Sequence, residues 1–377
     1  MNLRRVRAVA HKETLHILRD PRSLGMAIAI PMLLLLLFGY ALTLDVDDVP
    51  MVVWDQSGSP ASRELVSRFA GSRYFTVRGH VESTQELVHA IDARDALVAL
   101  VIPADYARRL ATRGPATVQA IVDGSDTNTA TIALGYASAI VQGASQDVAL
   151  ASLRRLGVQA LPASLELRPR VWYNPDLESK DAIVPGLTAV IMMVIAAMLT
   201  SLTVAREWER GTMEQLISTP VKGPELVLGK LIPYFAVGML DVLIAVLVGE
   251  FVFGVPLRGS SALVFGTAAL FLAGALSLGL VISIVTKSQL LASQVAMIAT
   301  FLPAFLLSGF MYAIANMPAP LQWFTYLVPA RYFVFLLRAI YLKGVGLRVL
   351  ALEAALLTVF GMAMVLLAMR RFRKRLT

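Results

Sequence analysis

The chain has 377 residues, 57% hydrophobic and 16% charged, no cysteine and a net charge of +8. Soluble domains run nearer 45–50% apolar and ~25% charged, so this balance excludes an ordinary soluble globular protein. The missing cysteines exclude a disulfide framework and thiol chemistry.

The first 24 residues carry Arg4, Arg5, Arg7, Lys12, Arg19 and Arg22. Leu3, Val6, Ala10 and Ile17 fall at helical spacing among them. Glu13 interrupts this apolar stripe. A contact with a partner and a solvated edge both account for that acid. An apolar run follows at 25–44, long enough to span hydrocarbon, which takes ~20 helical residues. It starts behind a mixed-charge segment and lacks a small-residue cleavage site, so it reads as a retained anchor and not a removed signal.

Residues 45–181 form a separate domain by pattern. Strands are expected at 51–54, 74–77, 96–102 and 117–122, and helices at 61–70, 84–93, 105–111 and 127–156, the last stopping at Gly157. The alternation predicts an inserted α/β domain with a mixed sheet. Asp123-Gly124-Ser125-Asp126-Thr127-Asn128 faintly resembles a calcium loop, but the spacing is wrong and no glutamate closes it. A turn with Ser125 or Asp126 capping the next helix is the better reading. His11, His16, His80 and His89 show no i,i+4 pair, which speaks against a metal site.

Five further apolar runs follow, at 183–205, 228–250, 262–285, 290–313 and 347–369. With the first they predict an α-helical polytopic membrane protein of six transmembrane helices. Basic residues concentrate before the first run and in the tail at 370–377 (Arg370, Arg371, Arg373, Lys374, Arg375). Both ends are therefore expected in the cytoplasm, and the α/β domain on the opposite side. The outer segment 314–346, rich in proline and aromatic residues, reads as interfacial or re-entrant helices. Small residues between 266 and 279 permit close helix packing in the fourth run. Asp241 lies mid-span in the third, where an aspartate costs ~2.5–3.5 kcal/mol to insert. It marks either a pathway or dimer seam, or a structural hydrogen bond between helices. The charge is a topology signal: no basic patch is interleaved with a nucleic-acid motif.

The loop 206–227 is the most informative stretch. Gly211 breaks the helix leaving the membrane, Thr212 and Gln215 form a capping-box pattern, Glu214 sits in the first turn, and Pro220 stops the new helix. A helix this short needs something to pack on. A capped, solvated loop helix and a docking helix are both consistent with these residues.

The run Arg206-Glu207-Trp208-Glu209-Arg210-Gly211-Thr212-Met213-Glu214-Gln215-Leu216 through Pro220 resembles the coupling-helix signature of type-2 ABC exporter permeases. Lys12-Glu13 with Arg19-Asp20-Pro21-Arg22 is similar to that family's connecting helix. Tyr173-Asn174-Pro175 with Ile183-Val184-Pro185-Gly186 resembles its approach to span two, and Glu225, Gly229-Lys230 and Pro233-Tyr234 its approach to span three. The resemblance covers essentially the whole chain and points to bacterial inner-membrane drug or lipid exporters with a large periplasmic domain. It implies two permease subunits, identical or homologous, above a pair of ABC ATPase subunits, with a periplasmic adaptor as a further partner. Contact with the ATPase would fall to Glu207, Glu209, Arg210, Gly211, Thr212, Glu214, Gln215, Leu216 and Pro220. Lys12, Glu13, Arg19 and Asp20 would belong to the connecting helix, whose cations reach lipid headgroups or the ATPase.

The stretch 223–231 is the nearest approach to a P-loop. Five residues separate its glycines, and Leu231 stands where a magnesium-binding Ser or Thr belongs. The chain is therefore expected to need no cofactor of its own, ATP and magnesium being bound by the partner. Among rivals, a receptor or secretion scaffold would have no use for the capped loop helix. An ion-driven transporter should show inverted repeats and paired midplane charges. An intramembrane enzyme would need a nucleophile–base or metal constellation, and none is legible.

Overall fold

The computed structural model describes residues 1–42, 47–112, 114–155, 172–174 and 178–372. The chain divides into two compact units, one of Met1–Thr43 with Arg170–Thr377 and one of Leu44–Pro169. The expected end of the first run at 43–44, the helix stop at Gly157, Pro175 and the tail beyond 372 lie outside the described residues.

In chain order, α1 (Leu3–Arg19) opens behind Asn2, whose side chain accepts the Arg4 N–H. Asp20 ends it, and Pro21 begins α2 (Pro21–Ala41). The expected boundary at 24/25 thus falls earlier, because proline suits the first turn of a helix and Asp20 precedes it.

The second unit carries β1 (Val49–Asp55), α3 (Pro60–Ala70), β2 (Phe75–His80), α4 (Thr84–Asp92), β3 (Val98–Ile102), α5 (Tyr106–Ala111), β4 (Gln119–Val122) and α6 (Thr127–Arg155). The sheet order is β2-β1-β3-β4; β1 runs parallel to β2 and β3, and β4 antiparallel to β3. The sheet is mixed. Alternate residues of β1 supply two cores. Val49, Met51 and Val53 pack with Phe69, Phe75 and Leu100 on one face, and Val52 packs with Leu87 and Ala99 on the other. Ala133 and Ala137 let α6 approach closely. Asp126 Oδ1 accepts the Asn128 N–H at 3.1 Å, and Asp123 Oδ1 accepts the Ser125 N–H at 2.9 Å, the geometry of a turn and a helix cap.

The first unit resumes with α7 (Ser179–Glu209), α8 (Thr212–Ser218), α9 (Gly223–Phe251), α10 (Ser261–Thr286), α11 (Gln289–Leu306), α12 (Ala319–Thr325), α13 (Pro329–Arg338) and α14 (Leu347–Arg371). Among the described residues five helices, α7, α9, α10, α11 and α14, are long and apolar enough to cross a membrane. The segment from α12 to Lys343, bent by 82°, makes up to six if it is one broken span, and 27–41 within α2 is a shorter apolar stretch. α7 is apolar and almost wholly buried, and α2, α9, α10, α11 and α13 all pack on it. An apolar helix with no polar face belongs in the middle of a bundle. α11 and α14 instead keep exposed apolar faces, as Ile298, Leu352 and Val359 show.

The fifth run ends sooner than expected, at Leu306. Gly309 turns with φ +81°, and the carbonyls of Gly309 and Phe310 accept hydrogen bonds from the Arg338 guanidinium at 2.9 and 3.1 Å. These side-chain bonds replace the helical ladder beyond Pro303.

Candidate functional site

The loop after α7 is built around one glycine. Gly211 has φ +70°, a conformation that L side chains rarely adopt, and its N–H donates to Trp208 O at 3.2 Å. It ends α7 and is itself the N-cap of α8. The expected capping box of Thr212 and Gln215 is therefore corrected: Thr212 is the first helical residue, and its hydroxyl donates to Glu207 O at 3.3 Å. Only Arg210 and Gly211 stand between the two helices, and Gly211, in the N-cap position, has no side chain with which to cap α8. Glu214 does lie in the first turn, and Thr219 is extended ahead of Pro220.

The residues singled out from sequence fall into two groups. Glu209, Arg210, Gly211, Glu214, Gln215 and Pro220 are exposed, while Thr212 and Leu216 are half-buried. Glu207 is buried. Met213, which the sequence did not single out, is 2% exposed and anchors the underside of α8. The available signal was its apolar pairing with Leu216, three residues on, in a helix whose Glu214 and Gln215 are polar.

Beneath α8 lies a charged cluster. Lys230 Nζ, 2% exposed at the side chain, meets Glu13 Oε1 at 2.7 Å and Glu207 Oε1 at 3.0 Å. Lys12 Nζ reaches the same Glu207 oxygen at 3.0 Å from its exposed position. Glu13 is thus explained within the chain: it is buried against Lys230, at neither a solvated edge nor a partner's surface. Three helices, α1, α7 and α9, are tied together through these side chains. Lys230 was legible in the 223–231 stretch and in the likeness of Gly229-Lys230 to an approach to span three, but not as a buried cation; the stretch is helical from Gly223, and its lysine is committed to carboxylates.

Glu225 makes a second tie. Its carboxylate accepts the Lys222 N–H at 2.9 Å and the Asn2 N–H at 2.7 Å, with Arg5 3.7 Å away. Arg5 also donates to Pro220 O at 2.6 Å. The two backbone N–H groups, then Arg5, hold the Glu225 carboxyl below its ordinary value of 4.5. A lowered carboxylate stabilises fully above that ordinary value and loses its contribution as pH falls through the folded value. The stability difference between wild type and Glu225→Gln should accordingly shrink as unfolding is measured at progressively more acid pH. A difference that stays constant through that window rules out the anchoring role.

At the start of α11, Gln289 donates to Glu209 from its backbone and side chain, and Lys287 stands 4.6 Å over the Trp208 ring. The Gln289 bonds hold the Glu209 carboxyl low. Arg206 donates to His16 Nε2 at 2.8 Å. Between these groups opens a cavity of about 390 Å³ lined by Lys12, His16, Arg206, Arg210 and Gln215.

Arg19 is exposed at the end of α1, and Asp20 is its C-cap. Asp241 stands apart from this cluster. It is 1% exposed, enclosed by its own chain, and neither carboxylate oxygen has a hydrogen-bond partner among the described residues.

A family model described as ABC-2 family transporter protein matches residues 21–370. The chain is 42% identical over 345 residues to the probable multidrug ABC transporter permease YbhS of Escherichia coli K12, covering 91% of this chain and 90% of that protein. It is 34% identical over 346 residues to the probable multidrug ABC transporter permease YbhR of the same strain, covering 91% of each. The inner membrane transport permease YhhJ, also of that strain, is 27% identical over 332 residues, 86% and 85% of the two chains.

Proposed function

The chain belongs to the ABC-2 family of transporter proteins, and from that premise we propose that it is the permease through which a separate ATPase pair drives export of amphiphilic drugs or lipids. As a permease it is not itself an ATPase. In this reading α2 completes six spans, α1, α8 and the end of α14 face the cytoplasm, and the α/β unit faces the periplasm of a bacterial inner membrane. A second copy or a homologous permease completes the pathway, and an adaptor extends it outward.

The observation that carries the coupling role is the two-sided character of α8. Glu214 and Gln215, with Arg210 just ahead of the helix, are exposed to a partner, while Met213 is buried and the Thr212 hydroxyl donates to Glu207 O on α7, whose Glu207 carboxylate is tied through Lys230 to Glu13. A short helix is marginal alone, and this one is fixed by tertiary contacts. A push on its exposed side is passed to α7 and from there, through Lys230, to α9 and α1, because packed elements move as bodies rather than deform.

The test is co-purification with the candidate ATPase and measurement of ATP hydrolysis. Glu214→Lys reverses the exposed charge. Gly211→Pro demands φ near −65° where the chain has +70°, and it removes the N–H given to Trp208. Each should weaken capture by more than about tenfold, or about 1.4 kcal/mol, or uncouple turnover from the permease. If no ATPase associates, or both variants behave as wild type, the coupling role fails and a receptor or scaffold function takes its place.

A further inference from the structure

The far end of the helical unit holds a second charged cavity that the coupling role does not use. α1 crosses α9 at Gly229, where an added Cβ would lie 2.6 Å from Val9 Cβ. At the other end of α9, the Arg258 N–H donates to Tyr341 O at 3.1 Å, in the π-helical turn Ala339–Lys343 that follows α13. Here a cavity of about 640 Å³ lies among α12, α13 and α14, a volume typical of small-molecule sites.

Its walls are of two kinds. Among the described residues that line it, Arg331, Arg338 and Lys343 bring three cations, against one acid, Glu353. The contacts these cations make in the fold are with neutral groups. Arg338 donates to the carbonyls of Ala182, Gly309 and Phe310 at 3.0, 2.9 and 3.1 Å. Arg331 donates to the Thr325 hydroxyl and lies 3.9 Å over the Tyr326 ring, and Lys343 lies 5.8 Å from the centre of the Tyr173 ring. None of these contacts cancels charge, so the cavity keeps a net positive field. Phe335, Leu352 and Leu356 line the other side and are exposed. Leu352 and Leu356 belong to α14, a helix long and apolar enough to span a membrane. Trp323, Phe324 and Tyr326 are exposed on and beside α12, as aromatic residues are at the headgroup level of a bilayer.

We propose that this cavity seats the acidic headgroup of a phospholipid from the surrounding leaflet, with Lys343, Arg331 and Arg338 supplying the positive field and Phe335, Leu352 and Leu356 lying along its acyl chain. A water-soluble anion has no use for an exposed apolar wall. The proposal needs only that the chain spans a membrane; it is independent of the coupling helix at the other end.

The test equilibrates the purified full chain in mixed micelles with equal phosphatidylglycerol and phosphatidylcholine, and counts retained lipids by native mass spectrometry. Wild type should retain phosphatidylglycerol preferentially, and excess inorganic phosphate should leave the ratio unchanged. Lys343→Glu, at an exposed position, should lower the ratio about fivefold or more, and Glu353→Gln should raise it by about fivefold, the effect of roughly one charge near an anionic headgroup. A general loss of fold cannot move the ratio upward, so the paired variants separate binding from misfolding. The proposal is overturned if wild type shows no preference, if phosphate displaces the lipid, or if the two variants leave the ratio unmoved or shift it the same way. ATP hydrolysis with the partner ATPase is a separate readout, so failure here leaves the coupling role standing.

Discussion

Lys230→Met should destabilise the helical unit by about 3–5 kcal/mol, the cost of stripping one partner from a buried ion cluster. Lys230 is 2% exposed and is the cation between Glu13, 4% exposed, and Glu207, 7% exposed. Without it two carboxylates from different helices face each other away from water. Lys12 could answer only for Glu207, and its own side chain is 56% exposed. Lys12→Met should therefore cost no more than about 1 kcal/mol, the range of a surface pair. Combining Glu13→Gln and Glu207→Gln with Lys230→Met should recover most of the loss, since it is the stranded charge that costs, more than the absent attraction. Denaturant unfolding in detergent micelles measures all of these. A loss under about 1 kcal/mol for Lys230→Met would show that water reaches the cluster. The cluster would then be too soft to transmit force from α8.

Gly279→Val should cost about 3 kcal/mol or more, at or beyond the upper end of overpacking. A Cβ at Gly279 would lie 2.1 Å from Ala197 O and 2.3 Å from Thr200 Oγ1, so α10 would have to leave α7. That seam is also where Thr200 Oγ1 donates to Leu276 O at 2.7 Å and Ser283 Oγ accepts the Val204 and Ala205 N–H groups at 3.0 and 2.9 Å. Small residues bring the two backbones within reach of such bonds, and a larger side chain breaks both packing and bonds together. Gly266, exposed on the same helix with nothing within 4 Å of an added Cβ, is the control. Gly266→Ala should not destabilise, and should raise stability by up to about 1 kcal/mol through helix propensity. Equal effects at both positions would show that the α7–α10 seam has slack.

The residues between 266 and 279 were legible as a small-residue run, but their individual weight was not. Composition cannot say that Gly279 touches a neighbouring backbone while Gly266 faces outward. The same holds at the coupling loop. Gly211, Glu214 and Pro220 announced a break, a first turn and a stop, because each acts through its own backbone or the next turn. The capping box failed at Thr212 because Gly211 serves both helices, a matter of φ angle that residue types only suggest.

Hydropathy and alternation, read locally, therefore determined the apolar helices, the inserted α/β unit and the position of the loop helix. Hydrocarbon thickness and backbone hydrogen bonding act on contiguous residues. It took the packing of the helices to bring Glu13 to Lys230 across 217 positions, Asn2 to Glu225 across 223, and Arg338 back 156 to Ala182. Such pairings depend on which helix faces cross and at what height. Those are set by how whole side-chain surfaces fit one another, and no window along the chain contains that information.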